Sequence, residues 1–263
     1  MLTCGDIIDA LEASYPPSLA EEWDNPGLQV GNRQRTVTTV LTALDLTEAV
    51  IDRAEAIGAG LIVTHHPLIF RPVRHVTGDD LTGSRILRLA EAGIACYAMH
   101  TNFDVTAMGR LNAAALGLSG GEILSVTGSY DSGEAVGLGC VGNLEKPVRA
   151  EEAAAMVREA LRLEAVRLYG DPDAVVRRAA VCGGSGRSLI GAALKAGADI
   201  YITGDLDHHS ALDAVSSGLI LIDAGHAGTE NVFAGFVRDQ LTARFPSLKA
   251  EAMPPEKPYS VIM

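Results

Sequence analysis

The stretch Gly58-Ala59-Gly60-Leu61-Ile62-Val63-Thr64-His65-His66-Pro67 decides how this chain is read. Leu61-Ile62-Val63 is short, wholly apolar and partly β-branched, the pattern of a strand buried on both faces of a sheet. Two imidazoles follow it almost at once, and Pro67 forces an extended or turned backbone on His66. Upstream, residues 37–44 form a second apolar strand, and 47–57 read as a helix capped by Thr47 and closed by Gly58. Downstream, 84–92 read as a helix, 94–99 as a strand and 105–116 as a helix. Strand–helix alternation at this spacing predicts βαβ units around a largely parallel sheet.

The pattern recurs. Gly197-Ala198-Asp199-Ile200-Tyr201-Ile202-Thr203 matches Gly58 to Thr64, and the strand and helix before it, 175–181 and 188–195, keep the same offset. Farther on, His226-Ala227-Gly228-Thr229-Glu230 echoes His100-Thr101-Asn102-Phe103-Asp104, a strand end followed by His-x-x-x-carboxylate in each half. Helix 210–215, strand 219–222 and helix 232–241 complete the second series. Between the halves lie a glycine-broken strand at 134–141, a helix at 150–161 and a strand at 166–169. At the start, Thr3 and Asp6 have the spacing of a capping box, Pro16-Pro17 end the first helix, and Trp23-Asp24-Asn25-Pro26-Gly27 is a turn-rich loop around the only tryptophan. Duplication predicts an α/β protein of two similar βαβ-based lobes, with largely parallel sheets related by an approximate internal two-fold. The first lobe, 1–124, carries His65, His66 and Asp104. The second, 125–263, carries His226 and Glu230, with a metal site expected between the lobes.

Of 263 residues, 48% are hydrophobic and 21% charged, a globular profile, and with 5% aromatics the core must be aliphatic. A net charge of −12 argues against a nonspecific nucleic-acid binder, which needs a basic face. Cys4, Cys96, Cys140 and Cys182 lie far apart with no CxxC pair, which argues against a disulfide framework or a thiolate zinc site. Cys96 and Cys182 fall in or beside apolar strands and read as packing residues. There is no basic leader with a long apolar run, and no segment approaches the roughly 18 apolar residues of a membrane span, so a soluble, cytoplasmic protein with no membrane partner is expected.

Histidines His65, His66, His100 and His226 lie at or just past strand ends, and His209 opens a helix. Parallel sheets bind ligands at the carboxyl ends of their strands. The adjacent His65 and His66 point to opposite sides unless the chain turns, and can address two different ions. Asp104 and Glu230 add oxygen donors. Imidazole and carboxylate without thiolate suit Zn, Fe, Mn or Co in a hydrolytic site, where one carboxylate can bridge ions about 3.5–4 Å apart. Three features stay open. Gly183-Gly184-Ser185-Gly186 is either a tight turn or a cradle for phosphate. Arg71, Arg74 and His75 are either a solvated loop or an anchor for an anionic substrate. His209 is either a general acid–base or a helix residue facing the core.

These blocks carry a resemblance. His65-His66-Pro67-Leu68-Ile69-Phe70, His100-Thr101-Asn102-Phe103-Asp104, Thr203-Gly204-Asp205 with His208-His209, and Gly225-His226-Ala227-Gly228-Thr229-Glu230 resemble the GTP cyclohydrolase 1 type 2 homolog family, also called NGG-interacting-factor-like or YbgI-like. The stretch from Trp23 to Gly31 and the turn from Gly183 to Gly186 resemble it as well, in the family's order over nearly the whole chain. The chain looks like the short form, without the domain that longer members insert mid-chain. The resemblance implies a ring-shaped homohexamer of two-lobed subunits, each holding two divalent cations. It implies His65, His66, Asp104, His226 and Glu230 as ligands: Glu230 bridging, His66 and Asp104 on one ion, His65 and His226 on the other. His100 matches a position near the metals and is expected to orient a ligand or the attacking water; with His209 it is a candidate catalytic residue. The implied reaction is hydrolysis, with hydroxide generated at the ions attacking a nucleotide ring or a phosphoester. The family name points to GTP and opening of the purine's imidazole ring with release of formate. A metal-binding scaffold or interaction protein needs the same ligands, so the residues leave that alternative open.

Overall fold

The computed structural model describes residues 1–257, 259, 260 and 262. Helix α1 (Cys4–Glu12) begins at the expected cap: Thr3 Oγ1 accepts from the Asp6 amide at 3.2 Å, and Asp6 accepts from the Thr3 amide at 2.8 Å. Such a reciprocal cap contributes about 1 kcal/mol, and Ile7, Ile8 and Leu11 on the buried face contribute more. Strands β1 (Gly27–Val30) and β2 (Thr39–Ala43), helix α2 (Glu48–Ala56), strand β3 (Leu61–Thr64), helix α3 (Leu81–Ala92) and strand β4 (Ala95–Ala98) follow. Helix α3 starts at Leu81 rather than at 84 because Asp80 caps it, accepting from the Gly83 amide at 2.8 Å.

After β4, α4 (Thr101–Phe103) runs into a π-helical turn, Asp104–Met108, and then into α5 (Gly109–Ala115). Strands β5 (Ser119–Ser129) and β6 (Ala135–Arg149), helix α6 (Ala150–Ala160), and strands β7 (Arg167–Tyr169) and β8 (Val175–Ser185) come next. Helix α7 (Ile190–Lys195), strand β9 (Ile200–Gly204), helix α8 (His208–Ser216) and strand β10 (Ile220–Asp223) form the second strand–helix series. Helices α9 (His226–Glu230) and α10 (Val232–Arg244) and strand β11 (Lys249–Ala252) complete the order.

The chain divides into two compact units, but not at the expected boundary between 124 and 125. The first unit holds Met1–Phe103 and Phe233–Glu256; the second holds Asp104–Val232 and the described residues from Lys257 onward. The segments after β4 and β10 each leave their own unit part-way. The physical reason in the first unit is that β11 pairs in parallel with β2, and Thr42 Oγ1 donates to the Ala234 carbonyl of α10 at 2.8 Å in a buried contact. Asp104 therefore belongs to the second unit, not with His65 and His66.

Each unit is built on one sheet, which makes this an α/β protein. In the first the order is β1-β4-β3-β2-β11, parallel throughout except for the β1 edge. In the second the order is β5-β6-β8-β9-β10-β7; only β8-β9-β10 is parallel. This sheet is mixed because the turn at Tyr130 to Glu134 joins β5 to β6 directly, and a tight hairpin can only be antiparallel. The sequence repeat reappears as register. Val40 pairs Leu61 and Thr42 pairs Val63; the equivalents Ala179 and Val181 pair Ile200 and Ile202. Leu61 next pairs Ala95 and Ile200 pairs Ile220, and an antiparallel edge strand closes each set, β1 on β4 and β7 on β10. Strands β3, β4, β9 and β10 are buried along their whole length, as continuous apolar runs require.

Candidate metal centre

In the first unit the parallel strands β2, β3 and β4 all end on one edge, and the chain continues from them into Asp45, His65-His66 and Met99-His100. The ladder persists past the strands: the His66 amide donates to the Leu44 carbonyl at 3.0 Å and the Met99 amide to the Thr64 carbonyl at 2.9 Å. These bonds fix the backbone that carries the imidazoles. His65, His66 and His100 bring ring nitrogens within 4.8 Å of one another. His65 is fully buried and packs against Phe103 and Phe233, with centroids 6.2 and 5.0 Å away.

Each ring is held from behind. His65 Nδ1 lies 2.8 Å from the Met99 carbonyl, His66 Nδ1 2.7 Å from Asp45 Oδ1, and His100 Nδ1 2.7 Å from Asp24 Oδ1. An acceptor on Nδ1 selects the tautomer whose Nε2 lone pair can bind a metal. Asp24 is fixed in turn by the Thr101 amide at 2.9 Å and the Thr101 hydroxyl at 2.5 Å. Burial pushes its carboxyl up, but the hydrogen bonds from His100 and Thr101 outweigh this and hold the pKa at about 2.

In the second unit the donors again lie at the carboxyl ends of parallel strands. His226 follows β10, and its Nδ1 lies 2.7 Å from Asp205, which follows β9. Asp205 sits at φ +55, a left-handed conformation rare without glycine. Helix α9 then brings Glu230 one turn on, so that Glu230 Oε2 lies 3.3 Å from His226 Nε2. Asp104, in the π-helical turn, offers an oxygen within 4.8 Å of one from the buried Glu230. Two carboxylates this close repel unless a proton or a cation lies between them. The π-turn widens the helix by one residue at Asp104, a distortion common at functional sites.

The turn at Gly183 to Gly186 is not a phosphate cradle. The Gly184 amide donates to Thr229 Oγ1 and the Gly186 amide to Thr203 Oγ1, both at 2.9 Å. Its glycines serve close approach, and Gly184 lies directly against Glu230. His209 is exposed on the first turn of α8, with its ring 5.4 Å from that of His208, and belongs to neither donor group. It is not the core-facing residue expected as the alternative. Burial pushes the Cys96 and Cys182 thiols up to about 12, and neither belongs to a donor group, in keeping with packing residues. The roles of Asp24, Asp45 and Asp205 were not legible as such. One signal was there: Asp205 occupies the position that the repeat equates with His66.

A sequence profile of the Duf34/NIF3 (NGG1p interacting factor 3) family matches residues 2–257. The chain belongs to that family. Among its relatives, a Clostridium perfringens protein named GTP cyclohydrolase 1 type 2 homolog is 39% identical over 228 residues, 86% of each chain. A Lactococcus lactis protein of the same name is 39% identical over 242 residues, 90% of each. The crystal structure of a Bacillus cereus protein related to NIF3 matches with a TM-score of 0.93 and 28% identity, covering 99% of both chains. Family membership and the His and Glu donor groups together make this a candidate metal-binding protein. Among the described residues, no helix is long and apolar enough to cross a membrane.

Proposed function

We propose that the protein is a metal-dependent hydrolase with a centre for two divalent cations. His65, His66, Asp104, His226 and Glu230 are its ligands. Glu230 would be shared by both ions, His66 and Asp104 would hold one, and His65 and His226 would hold the other. The observation that carries this reading is the anchoring of the three ligand imidazoles: His65, His66 and His226 each have Nδ1 within 2.8 Å of a carbonyl or carboxylate oxygen. Donors set for Nε2 ligation, with no thiolate among them, fit Zn, Fe, Mn or Co. Two such ions, when bound, supply Lewis acidity and lower the pKa of water.

The chain's own residues do the rest. Asp45 and Asp205 hold the rings of His66 and His226 at the angle ligation needs. His100, fixed by Asp24, presents Nε2 to hold or move a proton beside the ligands and is not itself one of them. The relatives' name supports a nucleotide substrate, attacked at its ring or at a phosphoester. The family resemblance supports a ring-shaped homohexamer, and light scattering at roughly six subunits would bear out the assembly. The test is elemental analysis of protein purified without chelator, then turnover of a nucleotide and phosphoester panel with and without added metal. About two equivalents of metal, and turnover that Glu230→Gln abolishes, are expected. A single equivalent after reconstitution overturns the dinuclear centre. Full occupancy with no turnover assigns the protein instead to the metal-binding scaffolds.

A further inference from the structure

Trp23 and Phe70 are large apolar side chains left 59% and 49% exposed. Their exposure is built into the fold. Asn25 Nδ2 donates to the Ile69 carbonyl at 2.6 Å, the Ile69 amide donates to Gln29 Oε1 at 3.1 Å, and Gln29 Nε2 donates to the Asn25 carbonyl at 2.7 Å. These three bonds clamp the loop that carries Trp23 to the loop that carries Phe70. The two rings meet edge-on at 5.9 Å, and each meets His100 edge-on, at 5.8 and 6.4 Å. His100 belongs to the imidazole group of this same unit. An aromatic surface thus runs from solvent up to the donor nitrogens, and both side chains are open to a further ring.

Arg71 follows Phe70 directly and Arg74 lies three residues farther on. Both are exposed, and among the described residues neither has an acidic group within ion-pair distance. The next arginines along, Arg85 and Arg88, are by contrast paired with Glu48, Asp52 and Glu55. Arg35, Arg158, Arg162, Arg177 and Arg244 likewise have no acidic partner among the described residues, so what sets Arg71 and Arg74 apart is their place in the loop that carries Phe70. Rings left open stack on planar rings, and guanidinium forks grip phosphate oxygens.

We propose that Trp23, Phe70, Arg71 and Arg74 form the recognition surface for a planar heteroaromatic ring carrying a phosphate chain. The ring stacks on Trp23 with Phe70 against its edge, the phosphates bind Arg71 and Arg74, and the bound molecule is presented to the imidazole group beyond His100. This deepens the metal-centre reading and rests on it only for the chemistry after binding.

Trp23 is the only tryptophan, so its emission reports directly on the surface. Full-length protein, metal-loaded and chelator-treated, is titrated with ATP, GTP, guanosine and inorganic tripolyphosphate. Both nucleotides should quench saturably, guanosine more weakly, and tripolyphosphate should compete with the nucleotides without quenching. Phe70→Leu should weaken nucleotide and nucleoside alike, by about 5- to 150-fold. The double variant Arg71→Gln with Arg74→Gln should bring the nucleotides down to the affinity of guanosine. Absence of saturable quenching by either nucleotide overturns the proposal, as does quenching that the arginine variant leaves unchanged. A Phe70→Leu variant that changes the mass seen by light scattering but not the quenching assigns the surface to contacts between copies, and also overturns it. Metal content measured on the same samples separates the two readings. Bound metal without quenching removes the recognition surface alone, whereas quenching in protein that never takes up metal removes the metal centre alone.

Discussion

Gly184 and Glu230 lie so close that a side chain on the glycine must push the carboxylate aside: a Cβ on Gly184 would lie 2.5 Å from Glu230 Oε1 and 3.3 Å from His226 Nε2. Gly184 also sits at φ +62, in the left-handed region that other residues occupy at a cost of about 1–2 kcal/mol. Gly184→Ala should therefore displace the Glu230 carboxylate and weaken metal binding well beyond its effect on stability. Metal titration alongside urea unfolding checks this. A variant that keeps wild-type metal affinity would show that Glu230 is not held where the proposed bridge needs it.

Removing the acceptors behind the rings should act through orientation. Asp205→Ala frees His226 Nδ1, and Asp45→Ala frees His66 Nδ1. Each should lower metal affinity about 10–100-fold, read by competition with a chelator of known affinity. Asp205→Asn, which keeps an acceptor oxygen, should recover part of the loss. Equal loss in the Asn and Ala variants would point to the charge of Asp205 and not to its hydrogen bond.

The ligand set predicts an order among three variants. Glu230→Gln removes the charge that the proposed bridge shares between both ions, so both should be weakened. Asp104→Asn should weaken mainly one. His100→Ala should leave metal content near normal and lower any turnover about 10–100-fold. Metal titration of the three separates these outcomes. An empty centre in His100→Ala beside a full one in Glu230→Gln would reverse the assignment.

Acid should release the Asp24 contact. Its folded pKa, about 2, lies below the ordinary aspartate value of 3.8, so its contribution to stability is present above that value and is lost as pH falls through the folded one. The contribution is on the order of 2 kcal/mol at neutral pH and about half of that near pH 3. Urea unfolding of chelator-treated wild type and Asp24→Asn at both pH values is the measurement. The gap between the two proteins should narrow toward acid; a gap independent of pH would mean that the carboxylate charge on Asp24 contributes nothing.

Much of the fold is written in local sequence. The runs Leu61-Ile62-Val63 and Ile200-Tyr201-Ile202, the caps at Thr3 and Thr47, and the repeated His-x-x-x-carboxylate are short-range signals, because hydrophobic period, capping and strand ends depend on neighbours a few residues apart. Strand register follows the repeat, since equivalent residues pair in both sheets. What local pattern cannot hold is pairing across distance. Strands β1 and β11 are short edges, and β5 opens with Ser119-Gly120-Gly121, so their strand character comes from their partners and not from propensity. The π-turn at Asp104 and the transfer of α10 to the first unit depend on what those segments pack against. So do the acceptors Asp24, Asp45 and Asp205, which lie 76, 21 and 21 residues from the imidazoles they hold. A carboxylate at such a separation looks like any other solvated acid until the fold closes the 2.7 Å gap. The sequence determined which donors exist and that strand ends carry them; only the tertiary structure decided which nitrogen of each imidazole is left to bind.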